Sequence, residues 1–446
     1  MDRTKENQNL REIIKALVSF SLPLILSGIL QQLYNWADAF IVGNTDGELS
    51  LSAIGATTTP INFFITTITG FTLGLSVLIA NRFGKGETKK IPGVLSSFSV
   101  ILGGAFALIS ACGFLLAHSF MSLLHTPPET IELAADYIRI VFIGLPFLAV
   151  YNTYTAALRG IGDSRIPFLS ILLSSAVNVL LDIFFVVYLR AGVRGAAIAT
   201  VLSQITMTVF IVLYGSKKHS WLTERQGRKI IDTDAIKDGV RFGLPPMLQS
   251  CISSLGGLIL QDFMNKFGTQ TVTAITTAYR IDTLVMLPIV NLGSGISTVV
   301  AHSHGAGNEK RTRKTLAAGV ILSLAVSLLL TALVIPMGGK MISVFGAGDA
   351  AVEIGNAFFI RIASFYPVFG LTTAFRGYLE GKGDLLYSGI AGVTALAVRI
   401  IASYAIAPLC GNMAIAYAEM VSWALLLFLY LFRFAQNTGK LRRKTL

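Results

Sequence analysis

Residues 13–43 read IIKALVSFSLPLILSGILQQLYNWADAFIVG, an apolar stretch that contains a single carboxylate, Asp38. At a rise of about 1.5 Å per residue, a helix of this length crosses the roughly 30 Å hydrocarbon core of a bilayer. A carboxylate inside such a helix is costly to insert and marks a candidate functional position. This stretch therefore predicts a membrane-spanning helix that carries a functional acid.

The remainder of the chain continues this apolar pattern. Of its 446 residues, 53% are hydrophobic and only 13% are charged, whereas a soluble domain is about 25% charged. Such a composition argues against a soluble enzyme and against a disordered chain. We therefore predict an all-α polytopic membrane protein with twelve spans, at 13–43, 51–80, 92–118, 129–158, 165–190, 194–216, 236–266, 271–303, 313–338, 350–379, 385–409 and 411–435.

The net charge of +12 is explained by where the basic residues lie. Lys and Arg concentrate in alternate loops, for example in 82–90, 217–229 and 310–314, as the cytoplasmic loops of membrane proteins do. No nucleic-acid partner is needed to account for the charge. We predict a protein of the cytoplasmic (plasma) membrane with both termini in the cytoplasm. Cys112, Cys251 and Cys410 lack the spacing of a disulfide framework or a zinc site.

The two halves of the chain repeat each other. Phe20-Ser-Leu-Pro23 matches Phe242-Gly-Leu-Pro245, and Gly74-Leu-Ser76 matches Gly295-Ile-Ser297. Each half has six predicted spans, an even number, so the two copies have the same orientation, as in many alternating-access transporters. The predicted organisation is an N-terminal lobe, a cytoplasmic linker and a C-terminal lobe, at 1–216, 217–235 and 236–446.

The first copy contains four buried oxygen-bearing side chains at matching depth. These side chains lie on predicted spans 1, 5 and 6 and are Asp38, Asn178, Asp182 and Thr200. Counting about 1.5 Å per residue from the span ends places all four roughly 9 to 18 Å below the outer surface. Hard oxygen ligands suit Na⁺ or H⁺ and give no signature of a softer metal. The sequence therefore predicts a cation site in the first copy; its alternative is a structural pairing of the acids with Arg139.

The second copy lacks this set. Arg399 aligns with Asn178, and Ser403 aligns with Asp182. We predict that Arg399 and Glu419 form an internal ion pair in place of the cation site. The alternative is a second coupling site around Glu419, Asp262 and Asp282. Arg139 and Arg361 occupy equivalent positions in both copies, which favours a structural role for each.

Four segments together carry a resemblance to a known family. They are LRGIGDSRIP at 158–167, FRGYLEGKGD at 375–384, NVLLD at 178–182 and GAAIAT at 195–200. With the twelve-span repeat, the chain resembles the multidrug and toxic compound extrusion (MATE) family over essentially its whole length, in particular the prokaryotic branch with its cation site in the N-terminal lobe. The resemblance implies a secondary active antiporter that exports organic cations or amphipathic drugs in exchange for H⁺ or Na⁺.

The resemblance also assigns roles to individual residues. It implies that Asp38, Asn178, Asp182 and Thr200 bind the coupling ion, that Tyr137 is an accessory hydrogen-bonding group and that helix 1 bends at Pro23. Spacing on one face of helix 1 makes Gln31 and Asn35 candidates for substrate contact, and Asn152 joins them as a candidate cavity residue. No catalytic residue, resident metal or cofactor is expected, and the expected partners of this monomer are a small drug-like substrate and the lipid bilayer.

One further function class stays open at this stage. A flippase for lipid-linked oligosaccharides or other lipids belongs to the same wider superfamily. It predicts a basic cavity for a pyrophosphate head group and usually more than twelve helices. The acids of the first copy favour the antiporter over the flippase.

Overall fold

The computed structural model describes residues 9–224, 230–346 and 348–444, with side chains up to residue 438. Residues 225–229 of the predicted linker and the first eight residues of the predicted N-terminal lobe therefore lie outside it. Within the described residues the chain is helical and contains no β-strand. The helices are α1 (Leu10–Asp46), α2 (Glu48–Gly84), α3 (Ile91–Leu123), α4 (Ile131–Gly160), α5 (Arg165–Asp182), α6 (Gly192–Lys218), α7 (Thr233–Asn265), α8 (Thr269–Gly305), α9 (Glu309–Ser343), α10 (Asp349–Ser364), α11 (Tyr366–Gly381), α12 (Leu385–Cys410) and α13 (Ala414–Lys444).

These helices match the predicted spans. Among the described residues, ten helical runs are long and apolar enough to cross a membrane, and a bent pair of helices makes an eleventh. One of the ten runs, Leu385–Thr438, covers both α12 and α13, which a short turn at Gly411–Met413 separates. Counting these two helices separately gives the twelve predicted spans, and the all-α membrane fold is confirmed.

The tenth predicted span, 350–379, is broken and not continuous. It consists of α10 and α11, which meet at Phe365 with a bend of 47°. Pro367 is the second residue of α11, where its missing N–H is harmless at the start of a helix. The same proline disfavours helical backbone at the residue before it and cannot extend α10. The sequence therefore contained the signal for this break.

The fifth predicted span also changes geometry along its length. The α-helix ends at Asp182, and a π-helical turn follows over Ile183–Tyr188. In this turn the N–H of Leu189 donates to the carbonyl of Phe184, five residues earlier, at 3.0 Å. Such wider turns are rare and are frequent near functional sites. Asp182 thus lies at the junction between the two helical geometries.

The chain divides into two compact units, Leu26–Met247 and a second one that combines Met1–Ile25 with Leu248–Leu446. The predicted boundary between the lobes lies in the linker between α6 and α7. The boundaries between the compact units lie instead inside α1 and inside α7. Each of these boundaries lies two residues after a matching proline of the repeat, Pro23 or Pro245. The first part of each of these helices therefore packs in a different unit from the remainder of the helix.

Two matching glycines of the repeat, Gly74 and Gly295, explain how the first parts of α7 and α1 pack against their neighbouring helices. A Cβ atom at Gly74 of α2 would collide with the backbone carbonyl of Phe242, at the start of α7. In the other unit, a Cβ atom at Gly295 of α8 would collide with the hydroxyl of Ser21, in the first part of α1. Glycine permits close helix contact because it has no side chain. The repeat Gly-x-Ser motif is thus a helix-packing motif in both units.

Each unit has its own apolar core. Phe71, Phe98 and Phe142 belong to the core of the unit around α2 to α4, and Phe358 and Trp423 belong to the core of the other. Large apolar side chains also lie on the outside. Their exposure in water would be unfavourable, but against lipid it costs nothing.

Candidate cation site

An apolar cluster shows where the helices of the predicted site converge. Val42 of α1, Tyr137 of α4, Val186 after α5 and Ala196 of α6 are buried in this cluster. Three of these residues are one helical turn from a predicted ligand, because Val42 follows Asp38 by four residues, Val186 follows Asp182 by four and Ala196 precedes Thr200 by four. The parts of α1, α5 and α6 that carry Asp38, Asp182 and Thr200 therefore lie close to this cluster.

The predicted ligands differ in how deeply they are buried. Asp182 is 0% exposed and Asn178 is 1% exposed, while Asp38 and Thr200 are partly buried. Asp38 lies within electrostatic range of Asp182, and Tyr137 lies within range of both acids with its hydroxyl next to that of Thr200. The structure therefore brings together Asp38, Asp182, Thr200 and Tyr137, and Asn178 lies one helical turn before Asp182 on α5.

Five polar atoms of Asp38, Asn178 and Asp182 lack a hydrogen-bond partner among the described residues. Both carboxylate oxygens of Asp182, Oδ1 of Asp38 and both side-chain atoms of the Asn178 amide are buried without a hydrogen bond to any described residue. Leaving one such polar group unsatisfied costs about 1–3 kcal/mol, and more when it is charged. A proton or a small cation bound among these oxygens would remove that cost. The donor set therefore fits a hard cation.

The structural alternative for the two acids does not hold. Arg139 pairs with Asp136 at 3.1 Å and donates to the carbonyl of Phe114 at 3.3 Å. Arg194 also pairs with Asp136, at 2.6 Å. Neither Asp38 nor Asp182 forms an ion pair within the part of the chain that the structure describes. Arg139 is thus a structural residue of α4, as predicted, and the two acids are left for a ligand.

Thr200 and the predicted cavity residues differ in their exposure and in the hydrogen bonds of their side chains. The Thr200 hydroxyl donates to the carbonyl of Ala196 at 3.0 Å, which leaves its lone pairs for a cation. Asn152 donates from Nδ2 to the carbonyl of Leu148 at 2.9 Å, so its amide is partly engaged in its own helix. Gln31 and Asn35 are exposed on α1. The substrate role of these three residues stays a prediction.

Pro23 lies inside the continuous helix α1. A proline in a helix removes one backbone hydrogen bond and weakens the helix at that point. Because Pro23 precedes the change of compact unit at Ile25 by two residues, it is well placed for a bend. The hinge itself stays a prediction.

Tyr34 is a residue of this region that sequence reasoning missed. It lies one turn before Asp38 on α1, within electrostatic range of Asp38 and of Tyr151 on α4. The spacing of Gln31, Asn35 and Asp38 defined one polar face of the helix, and Tyr34 was not assigned to that face. Its spacing of four residues from Asp38 was the available signal.

The second copy replaces the open site by an internal ion pair. Nη2 of Arg399 lies 2.8 Å from Oε2 of Glu419, and the Tyr279 hydroxyl donates to the same oxygen at 2.8 Å. Arg399 also donates to the Tyr279 hydroxyl at 2.7 Å. The predicted pair of Arg399 and Glu419 is confirmed. Here the guanidinium provides the positive charge that the first copy lacks.

The alternative cluster of the second copy is assembled only in part, because Asp282 lies within electrostatic range of Glu419 and Arg399. Asp262 is exposed, whereas Asp282 is buried and accepts a hydrogen bond from the Tyr366 hydroxyl at 2.6 Å. Arg361 donates to the Tyr417 hydroxyl at 3.1 Å and is held inside the fold, as expected for a structural residue. Glu419 is already neutralised by Arg399.

Comparison with known proteins places this architecture in a family. The sequence profile of the MatE family matches residues 23–184 and 245–405, one match in each half of the chain. The chain is 29% identical over 380 residues to "Probable multidrug resistance protein YpnP" of Bacillus subtilis (strain 168), covering 84% of each protein. It is 24% identical over 429 residues to "Multidrug export protein MepA" of Staphylococcus aureus (strain bovine RF122 / ET3-1), covering 94% of each.

Solved structures share the whole fold. A crystal structure of MATE in the bent conformation superposes with a TM-score of 0.89 at 21% identity, over 98% of this chain and 99% of that chain. The two family matches fall on the two copies of the repeat found in the sequence. The chain therefore belongs to the MatE family and is a MATE family membrane transporter.

Proposed function

We propose that this transporter is a secondary active antiporter that exports organic cations or amphipathic drugs in exchange for H⁺ or Na⁺. The coupling ion binds at Asp38, Asn178, Asp182 and Thr200, and Tyr137 supports the site. The observation that carries this proposal is the group of buried carboxylate and amide atoms that have no hydrogen-bond partner in the part of the chain that the structure describes. The relatives' names, multidrug resistance protein and multidrug export protein, support the substrate class.

Coupling follows from the electrostatics of the two acids. Two carboxylates that lie within range of each other in a low-dielectric interior cannot both carry charge at low cost. Binding of a proton or Na⁺ relieves this repulsion. Since ion binding changes the charge of the site, it changes the affinity for a cationic substrate, and the substrate reciprocally changes the affinity for the ion.

The conformational step is assigned to α1. Asp38 lies on this helix beyond Pro23, so ion binding at Asp38 and weakening of the helix at Pro23 act on the same element. Neutralising Asp38 permits the part of α1 beyond the proline to repack inside its unit. The repacked helix reduces the space for the drug, which leaves toward the outer side. Inward movement of one positive charge supplies about 2.3 kcal/mol per 100 mV of membrane potential.

The direct test is ethidium efflux in proteoliposomes under an imposed pH gradient or an imposed Na⁺ gradient, applied separately. We expect wild type to respond to one of the gradients and Asp38→Asn to respond to neither, because the amide cannot exchange charge. Asp262→Asn, which changes an exposed acid of α7, is the matched control and keeps wild-type efflux. Ion-driven export by Asp38→Asn at the wild-type rate contradicts the proposal.

A further inference from the structure

A groove runs along one face of α6, within the compact unit Leu26–Met247. Its volume is about 540 Å³, which falls in the range of about 300–1,000 Å³ that small-molecule sites have. Ile205, Val209 and Leu213 line it at intervals of four residues, and Lys217 is the next residue of this row. Residues at this spacing share one helix face. The groove therefore leads along α6 to a lysine in the last turn of the helix.

The walls of the groove suit an apolar occupant. Leu173 of α5 contributes to the lining, and the rings of Phe210 and Tyr214 stack with their centroids 5.3 Å apart. The hydroxyl of Thr206, which also lines the groove, donates to the carbonyl of Leu202 at 2.8 Å. Because this hydroxyl already has a partner within its own helix, an apolar chain can cover it without leaving it unsatisfied.

The length of the groove matches one leaflet of a bilayer. Ile205 is the middle residue of α6, which extends over Gly192–Lys218. Lys217 follows Ile205 by twelve residues, a distance of about 18 Å along a helix. Half of the roughly 30 Å hydrocarbon core is about 15 Å. An acyl chain of one leaflet can therefore lie along the groove from the middle of the bilayer to its surface.

Aromatic residues flank Lys217 along the chain. Tyr214 precedes it by three residues, and Trp221 follows it by four and stacks on Phe83 with the ring centroids 6.5 Å apart. Tyrosine and tryptophan are enriched where a membrane meets water. The charge pattern of the loops predicts that this end of α6 lies on the cytoplasmic side. We therefore expect Lys217 at the level of the headgroups of the cytoplasmic leaflet.

The charge of Lys217 is available to a ligand. Its neighbour Lys218 is paired with Asp163 at 2.9 Å. Lys217 itself is exposed and forms no ion pair with any residue that the structure describes. An apolar groove that ends at an unpaired cation is complementary to an amphiphile with an apolar chain and an anionic head.

We propose that this groove binds an anionic phospholipid of the cytoplasmic leaflet, with one acyl chain along Val209 and Leu213 and the phosphate at Lys217. Val209 is 48% exposed and Leu213 is 66% exposed, so a bound chain has apolar surface to cover. These walls accept the chain of any lipid, whereas the ammonium group donates hydrogen bonds to phosphate oxygens and favours a headgroup with net negative charge. The lipid site goes beyond the proposed export function and does not depend on it.

The test measures lipid binding at the groove by tryptophan fluorescence. A Tyr214→Trp reporter is reconstituted in phosphatidylcholine vesicles to which phosphatidylglycerol or phosphatidylcholine with brominated acyl chains is added, since bromine quenches a tryptophan on contact. Wild type, with its own three tryptophans, gives the background. We expect phosphatidylglycerol to associate about fivefold more strongly than phosphatidylcholine, the preference that one lysine near the membrane surface provides. In about 1 M salt this preference is lost, because the charges are screened within about 3 Å.

Further variants test the role of the lysine charge. In the reporter background, we expect Lys217→Gln to lose the preference and Lys217→Arg to keep it. Lys310→Gln removes an exposed lysine at the start of α9, in the other compact unit, and is the matched control that keeps the preference. A Leu180→Trp reporter on α5, at a residue that is 66% exposed and does not line the groove, is expected to show no preference between the two lipids.

Three results would overturn the lipid site. The first is equal quenching of the Tyr214→Trp reporter by the two lipids at low salt. The second is a preference that survives Lys217→Gln, or that the Leu180→Trp reporter shows to the same extent, because anionic lipid would then surround the protein without a specific site. The third is a reporter that neither lipid quenches and that crosslinks to a second copy of the chain, which would then cover the groove. Since binding is the readout, these results leave the antiporter proposal to the ethidium experiment.

Discussion

The two copies of the repeat differ in whether the buried polar side chains at equivalent positions have partners. In the first copy, Asp182 and Asn178 are almost fully buried, and their side-chain polar atoms have no hydrogen-bond partner among the described residues. In the second copy, the residue aligned with Asn178 is Arg399, which lies 2.8 Å from Glu419. At these positions the first copy holds polar atoms without a hydrogen-bond partner among the described residues, while the second holds a guanidinium that is paired with an acid.

This difference helps to identify function inside a membrane protein. Buried charge is costly, so a protein that needs only stability pairs it or removes it. Charges that remain unpaired in one copy, next to a copy in which equivalent positions are paired, are therefore candidates for ligand exchange.

The largest expected effect is the loss of coupling when the open site of the first copy is neutralised. Asp182→Asn keeps the shape of the side chain but removes its charge, so we expect ion-driven ethidium efflux to fall to the level of empty liposomes. Asp136→Asn, at an acid of α4 that is paired with two arginines, is the comparison variant and retains efflux. Equal loss in both variants would show that the effect is not specific to the site.

The next effect concerns the paired site of the second copy. Glu419→Ala leaves Arg399 buried without its partner, and we expect a loss of about 3–5 kcal/mol of stability. Replacing both residues by Met is expected to restore much of it, because no uncompensated charge remains. Thermal unfolding in detergent measures both changes. A double variant as unstable as Glu419→Ala would contradict the interpretation of this pair as structural.

A smaller effect is expected at the matching glycines. Gly74→Ala places a methyl group on the backbone of Phe242, whereas Gly295→Ala meets the Ser21 hydroxyl, which can rotate away. We expect Gly74→Ala to cost about 1–3 kcal/mol and Gly295→Ala less. Gly104→Ala, which meets no atom within 4 Å, is the control. Thermal unfolding that ranks the glycines in the reverse order contradicts the packing argument.

The smallest effect is a pH dependence at Asp163. Burial raises the pKa of Asp163, but the hydrogen bonds and charge from His219 and Lys218 outweigh burial and lower it. Its stabilising contribution is therefore present above the unfolded value of about 3.9 and is lost as the pH falls through the lower folded value. We expect Asp163→Asn to lower Tm by about 1–2 °C at pH 7, since the site is near the surface. The difference from wild type shrinks below about pH 3.9. A difference that is constant with pH would rule out this linkage.

Much of the fold follows from local patterns. Apolar length predicts the spans, and the Phe-x-x-Pro and Gly-x-Ser matches predict the repeat, because lipid requires long helices with internal hydrogen bonds. The break at Phe365 was also readable, from Pro367. The compact units were not predictable from these patterns. They depend on which helices the two parts of α1 and α7 pack against, and helix packing is a property of surfaces brought together only by folding.

The membrane class, the number of spans, the repeat and the residues of the first copy that are proposed to bind the coupling ion all follow from the sequence. The pairing of Arg399 with Glu419 was also predicted from the sequence, because an unpaired charge inside a membrane is energetically costly. Which charges are paired follows only from the folded arrangement of the helices. Arg139 pairs with Asp136, and neither Asp38 nor Asp182 forms an ion pair among the described residues. Asp163 pairs with Lys218 and His219. Such choices depend on distances of a few ångströms between helices, and a residue's position along the chain does not contain them.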